Sequence, residues 1–127
     1  MEQWKILLVD DEKEFVSTLA ERLRLRGIHA VEANSGEEAL RLLDAEPPEV
    51  VVLDVKMPGM SGLEVLRRIR SSHPDIPVIL LTGIGTEQEG TEGLTLGASD
   101  FLMKPLQIDE LIKRMRAAID AAAAKRA

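Results

Sequence analysis

Several short apolar runs in this chain lead directly into polar residues that could do chemistry together. Asp10 and Asp11 follow Ile6-Leu7-Leu8-Val9, and Asp54 follows Val50-Val51-Val52-Leu53. Thr82 follows Val78-Ile79-Leu80-Leu81, and Lys104 follows Phe101-Leu102-Met103 and precedes Pro105. Carboxylates, a hydroxyl and an ammonium are the parts of a phosphoryl-transfer site. The carboxylates hold a divalent cation and supply a nucleophile, the hydroxyl donates to a phosphoryl oxygen, and the ammonium clamps the charge. Phosphoryl transfer is mostly positioning and charge neutralisation, and Mg²⁺ suits an all-oxygen donor set. Carboxylates packed together repel, which raises their pKa values or demands a cation. Taken singly, the same residues have plainer readings: a helix cap for Asp10-Asp11, a strand-end hydroxyl for Thr82, a solvated lysine for Lys104, and core for Phe101. Their shared place at strand ends favours the site.

A fold must gather residues spread over about ninety positions. Short apolar runs alternate with amphipathic segments five times, which reads as a (βα)5 α/β domain with a parallel sheet. Strands are expected at about 5–10, 28–33, 50–54, 77–82 and 100–103. The runs at 50–53 and 78–81 are apolar on both faces, as central strands covered on both sides must be. The segment from His29 to Ala33 alternates and suits an edge. Ligands of such sheets bind at the carboxyl ends of the strands, where all the candidate residues fall.

Helix starts are signalled by Asp11 three before Glu14, Ser35 three before Glu38 and Ser61 three before Glu64; the two serine cases fit a capping box. Helix 1 carries Phe15, Leu19 and Leu23 on one face, helix 3 carries Leu63, Leu66 and Ile69, and helix 5 carries Ile108, Leu111, Ile112, Met115 and Ile119. Gly27 is a C-terminal stop for helix 1. Helix 4 contains Gly90 and Gly93 after Gly85, each interior glycine costing about 1 kcal/mol relative to alanine, and is expected to be short and mobile. Residues 121–127 are expected to extend helix 5 and fray.

The 127 residues allow one domain, 1–127. A net charge of −6 argues against a nucleic-acid footprint, and the absence of cysteine excludes disulfides and thiolate metal sites. Apolar runs are strand-sized, short of the roughly 20 residues of a membrane span, and Met1 to Lys5 show no signal-peptide pattern. A cytoplasmic protein without membrane association is the expectation. His29 and His73 read as surface residues without catalytic partners. Trp4 falls at the end of strand 1 opposite the site.

The segments Val9-Asp10-Asp11-Glu12, Asp54-Val55-Lys56-Met57-Pro58-Gly59-Met60-Ser61-Gly62, Leu81-Thr82-Gly83 and Gly97-Ala98-Ser99-Asp100-Phe101-Leu102-Met103-Lys104-Pro105 together resemble the receiver domain of two-component response regulators. The resemblance covers about residues 4–120. It implies a flavodoxin-like, doubly wound sandwich with strand order 2-1-3-4-5. It also implies that Asp54 accepts a phosphoryl group, that Asp10 and Asp11 hold Mg²⁺ with Asp54 and the main-chain carbonyl of Lys56, and that Lys104 contacts the phosphoryl group. Thr82 is then the switch hydroxyl, Phe101 the switch aromatic, and the Lys104–Pro105 peptide is cis. The donor implied is a histidine kinase or histidine phosphotransfer protein. The output is a changed helix 4–strand 5–helix 5 face, read by a downstream protein or an attached output domain, without direct nucleic-acid binding. Such a domain is no turnover enzyme, although it assists its own phosphorylation and dephosphorylation. A homodimer through that face is compatible with the sequence, which has no feature that requires it.

Phe101 stands where the family more often has tyrosine, and Lys56 and Ile84 flank the family's path for a hydrolytic water. Two other readings differ in kind. A haloacid-dehalogenase-type phosphatase wants a second aspartate two residues after the nucleophile, where Lys56 stands. A pseudo-receiver binding a partner constitutively is opposed by intact Asp54, Thr82 and Lys104.

Overall fold

The structure, a computed structural model, describes residues 4–126. Strands and helices alternate as β1 (Lys5–Val9), α1 (Lys13–Arg24), β2 (His29–Ala33), α2 (Gly36–Ala45), β3 (Val50–Asp54), α3 (Gly62–Ser72), β4 (Val78–Thr82), α4 (Glu87–Thr95), β5 (Asp100–Met103) and α5 (Ile108–Arg126). The sheet is parallel throughout, in the order β2-β1-β3-β4-β5. This is the flavodoxin-like (βα)5 sandwich.

Strand side chains alternate between two cores because successive residues point to opposite faces. Ile6, Leu8, Val50, Val52, Ile79 and Leu81 face α1 and α5, meeting Val16, Leu23, Leu111 and Met115. Leu7, Val9, Val51, Leu53 and Leu80 face the other way, against Leu43, Val65, Leu66 and Ile69 of α2 and α3. Every residue of β3 and β4 is buried, which explains their unbroken apolar sequence.

The register of this sheet sets the row of candidate residues. Val9 lies opposite Leu53, so Asp10 is level with Asp54. Asp54 lies opposite Leu81, and Thr82 opposite Met103. Thr82 and Lys104 therefore sit one step further along, strand by strand. The Lys104 N–H donates to the Thr82 carbonyl at 2.7 Å, and the Lys104–Pro105 peptide is cis.

The helix termini depart in part from expectation. Asp11 does not cap α1: the N-cap is Glu12, with no side-chain cap bond, and Asp11 is exposed. The turn is held instead by Asp10, whose Oδ1 accepts from the Glu12 N–H at 3.0 Å. Ser35 and Ser61 do cap, accepting from the N–H groups of Glu38 and Glu64. The return arms go elsewhere: Glu38 accepts from the Asn34 N–H at 2.8 Å, and Glu64 pairs with Arg67 and Arg68. Gly27, with φ +82°, ends α1 through paired bonds from Gly27 N–H to Arg24 and from Ile28 N–H to Leu23, the two closures of a Schellman motif.

α4 is the shortest helix at nine residues, and Gly90 and Gly93 are buried on its sheet-facing side. A Cβ on Gly93 would lie 2.0 Å from Leu80 Cδ1. These glycines let α4 approach closely, a gain in packing that offsets their low helix propensity. Residues 121–126 continue α5 as helix, and Ala127 lies outside the described residues. Trp4 is buried just before β1, with the Arg116 guanidinium 5.4 Å from its ring centre. His29 is exposed, whereas His73 is half-buried with Nε2 3.4 Å from Asp44, a partner the sequence reading did not give it. Among the described residues, no helix is long and apolar enough to cross a membrane.

Candidate functional site

The carboxyl ends of β1 and β3 bring Asp10, Asp11 and Asp54 together, with one oxygen of each within 4.8 Å of the others. Asp10 and Asp54 are buried, and Asp11 is exposed at the mouth. Two features fix this backbone. The Asn34 side chain donates to the Asp10 carbonyl at 3.2 Å. The first residue of α3, Gly62, donates to the Val55 carbonyl at 2.9 Å, and a Cβ on it would lie 2.2 Å from the Asp54 carbonyl oxygen. Glycine therefore allows a helix start to lie directly against the peptide that carries Asp54.

Lys104 reaches into this cluster from the end of β5. Its ammonium is 2.9 Å from Asp10 Oδ2, 3.1 Å from Glu12 Oε1 and 3.4 Å from Asp54 Oδ1. Burial opposes the ammonium charge, but the hydrogen bond to Asp10 and the charges of Asp54 and Asp10 outweigh it, so Lys104 is held protonated above its ordinary range. One ammonium does not neutralise the cluster. Burial, and then the Asp10 charge, push the Asp54 carboxyl up to about 6 against the opposing pull of Lys104. Asp10 is also raised, by burial, against the Glu12 N–H and Lys104. Buried all-oxygen donors that resist ionisation for want of positive charge fit a hard divalent cation.

Beside the cluster is a cavity of about 330 Å³, lined by Asp11, Asp54, Lys56, Ile84, Thr86 and Lys104. Lys56 and Ile84 are exposed at its rim. The structure does not bring the Thr82 hydroxyl into this cavity. Thr82 is fully buried, and its Oγ1 donates to the Leu102 carbonyl at a long 3.4 Å. Phe101 is half-buried beyond it. A Cβ on Gly90 would lie 2.8 Å from Phe101 Cδ1 and 2.9 Å from Thr82 Cγ2, so α4 rests on both expected switch residues at once.

Two neighbours were not singled out in the sequence. Glu12 joins the Lys104 ion pairs. Thr86, buried like Asp10, Asp54 and Thr82, accepts from the Gly83 N–H at 2.7 Å and donates to the Gly83 carbonyl at 2.9 Å. A threonine four residues after Thr82 carries no local signal of this contact, which depends on the loop's path.

Residues 6–116 match the family model of the response regulator receiver domain. The chain belongs to that family. Response regulator MprA of Mycolicibacterium vanbaalenii is 42% identical over 113 residues, covering 89% of this chain and 49% of the relative. Transcriptional regulatory protein CpxR of Escherichia coli K12 is 45% identical over 113 residues, covering 89% and 48%. The receiver domain thus spans about half the length of the curated relatives it matches. A crystal structure of a response regulator receiver domain protein from Clostridium thermocellum superposes with a TM-score of 0.90 at 32% identity, covering 95% of this chain and 98% of that one.

Proposed function

We propose that residues 1–127 form one receiver domain that acts in the cytoplasm as a phosphorylation-dependent switch of a two-component phosphorelay, with Asp54 as acceptor. The observation that carries this reading is the convergence of Asp10, Asp11 and Asp54 at the edge of an open cavity, with the Lys104 ammonium paired to Asp10 and Asp54. Asp10, Asp11, Asp54 and the main-chain carbonyl of Lys56 would hold Mg²⁺, which supplies the positive charge that phosphoryl oxygens and crowded carboxylates both require.

Ionised Asp54 attacks phosphorus on a phosphohistidine of a histidine kinase or phosphotransfer protein. The new bond joins Asp54 Oδ to phosphorus, the phosphorus–nitrogen bond breaks, and its electron pair returns to the donor imidazole. Lys104 turns from carboxylate to phosphoryl oxygen, exchanging one charge-assisted contact for another. Thr82 has little to leave, since its bond to Leu102 is long. Its hydroxyl gains a charged acceptor, and hydrogen bonds to charged groups contribute about 1.5–3 kcal/mol. Thr82 Cγ2 and the Phe101 ring share the space left by Gly90, so movement of one releases the other. Phe101 has no hydroxyl, and its inward state rests on packing alone. The face of α4, β5 and α5 then changes for a downstream protein or an attached output domain. The domain assists both gain and loss of its own phosphoryl group without being a turnover enzyme.

Beryllofluoride, a stable phosphoryl mimic, tests the switch. With Mg²⁺ it should shift the amide resonances of Thr82, Gly83 and Phe101 to Lys104, and the Asp54→Asn variant should not respond. Unchanged spectra in wild type would favour a constitutive binding module.

A further inference from the structure

One neighbour of the Lys104 ammonium is neither acid nor acceptor. The Phe15 ring lies beneath it, with Nζ 4.4 Å from the ring centre. Phe15 sits in the first turn of α1, packed against the sheet–α1–α5 core, and its outer edge lines a shallow groove with Pro105 and Leu106. The ring is half-buried against that core, while the lysine side chain above it has four rotatable bonds. We infer that Phe15 is a positioning residue for phosphoryl transfer: its ring face seats the Lys104 ammonium at the cavity. The inference rests on Asp54 being the phosphoryl acceptor.

Glu12 also touches the ammonium, but its side chain is 65% exposed and free to swing away. Exposed ion pairs contribute little. A carboxylate also competes with phosphoryl oxygens for the same N–H donors, whereas an aromatic face attracts the charge without consuming a donor. Asp10 and Asp54 would release Lys104 on turning their oxygens to a divalent cation and a phosphoryl group. The Phe15 contact persists through that exchange, so it keeps the clamp near the attacking geometry when its carboxylate partners are diverted.

The test is a double-mutant cycle on acyl-phosphate formation from phosphoramidate at saturating Mg²⁺, followed by intact mass. Phe15→Leu keeps an apolar side chain but removes the ring face, and should slow the reaction about three- to tenfold, the range of a partly desolvated cation–π contact. Phe15→Tyr restores the ring face and should bring the rate back to within about twofold of wild type. In a Lys104→Met background, Phe15→Leu should leave the residual rate unchanged, because there is no ammonium to seat. In metal-free protein, the ε-methylene protons of Lys104 should show a ring-current displacement in wild type and Phe15→Tyr that disappears in Phe15→Leu. Equal slowing by Phe15→Leu in both backgrounds would assign the effect to the fold of α1 and overturn the inference, as would a wild-type rate in Phe15→Leu. A wild type that takes no phosphoryl group overturns the acceptor reading and this inference with it; an adduct whose rate ignores Phe15 overturns the inference alone.

Discussion

Replacing Asp54 with asparagine should stabilise the metal-free protein, and the gain should depend on pH. Asparagine is close in shape to the neutral acid, so the substitution removes the cost of a buried charge while leaving the packing. That cost follows from the carboxyl's rise from an ordinary 3.8 to about 6, driven by burial and by Asp10, with the attraction of Lys104 already included. At about 1.4 kcal/mol per tenfold change in proton affinity, the ionised carboxylate costs on the order of 3 kcal/mol. Between 3.8 and about 6 the native state binds a proton that the unfolded chain has released, so stability falls as pH rises through this window. The cost is complete above the native value and disappears below the unfolded one. Asp54→Asn should therefore exceed wild type by about 3 kcal/mol at pH 7.5 and by only about 1 kcal/mol at pH 4.5. Urea titrations in chelator at the two pH values measure both differences. Mg²⁺ should narrow the gap at pH 7.5, because it binds the native wild-type cluster and stabilises it by mass action. A variant no more stable than wild type at pH 7.5, or a gain that is the same at both pH values, would refute the account of Asp54 as a charge held under strain.

Other substitutions probe the surrounding frame. Gly62→Ala places a methyl against main chain that cannot yield, and should lower the melting temperature by about 5–15 °C in thermal denaturation, from about 1–3 kcal/mol of overpacking. Gly90→Ala gains about 1 kcal/mol of helix propensity, but its methyl would meet both the base of the Phe101 ring and the fully buried Thr82 Cγ2, a crowding cost of about 1–3 kcal/mol. Its stability in urea should fall by up to about 2 kcal/mol while the ring resonances of Phe101 move in NMR spectra. Thr86→Val removes the acceptor of the Gly83 N–H, and hydrogen exchange at that amide should quicken about tenfold, as loss of one such bond of about 1–1.5 kcal/mol implies.

The strand ends were legible because each apolar run stops at a polar residue, and a parallel sheet presents all those stops on one edge. Asp10, Asp11, Asp54 and Lys104 could therefore be gathered without coordinates. What the spacing of residues does not carry is which way each group turns. Thr82 lies at the right strand end, yet its hydroxyl faces β5, because it is buried and the Leu102 carbonyl is within reach. Asp11 has the spacing of a cap, but the Asp10 side chain closes the turn and leaves Asp11 at the cavity mouth. The glycines of α4 read locally as weakness. Only the approach of Leu80, Thr82 and Phe101 shows Gly90 and Gly93 to be contact surfaces. Phe15 reads correctly as a core-facing residue, and its position under Lys104 depends on packing between segments about ninety residues apart.

Whether Asp54 takes a phosphoryl group is read from intact mass after incubation with phosphoramidate, in wild type and Asp54→Asn, with Mg²⁺ and with chelator. Wild type with Mg²⁺ should gain one phosphoryl group, and neither the chelated protein nor the variant should gain any. A phosphoryl group on Asp54→Asn, or an adduct that forms equally well without metal, would overturn the assignment of Asp54 as a metal-assisted acceptor.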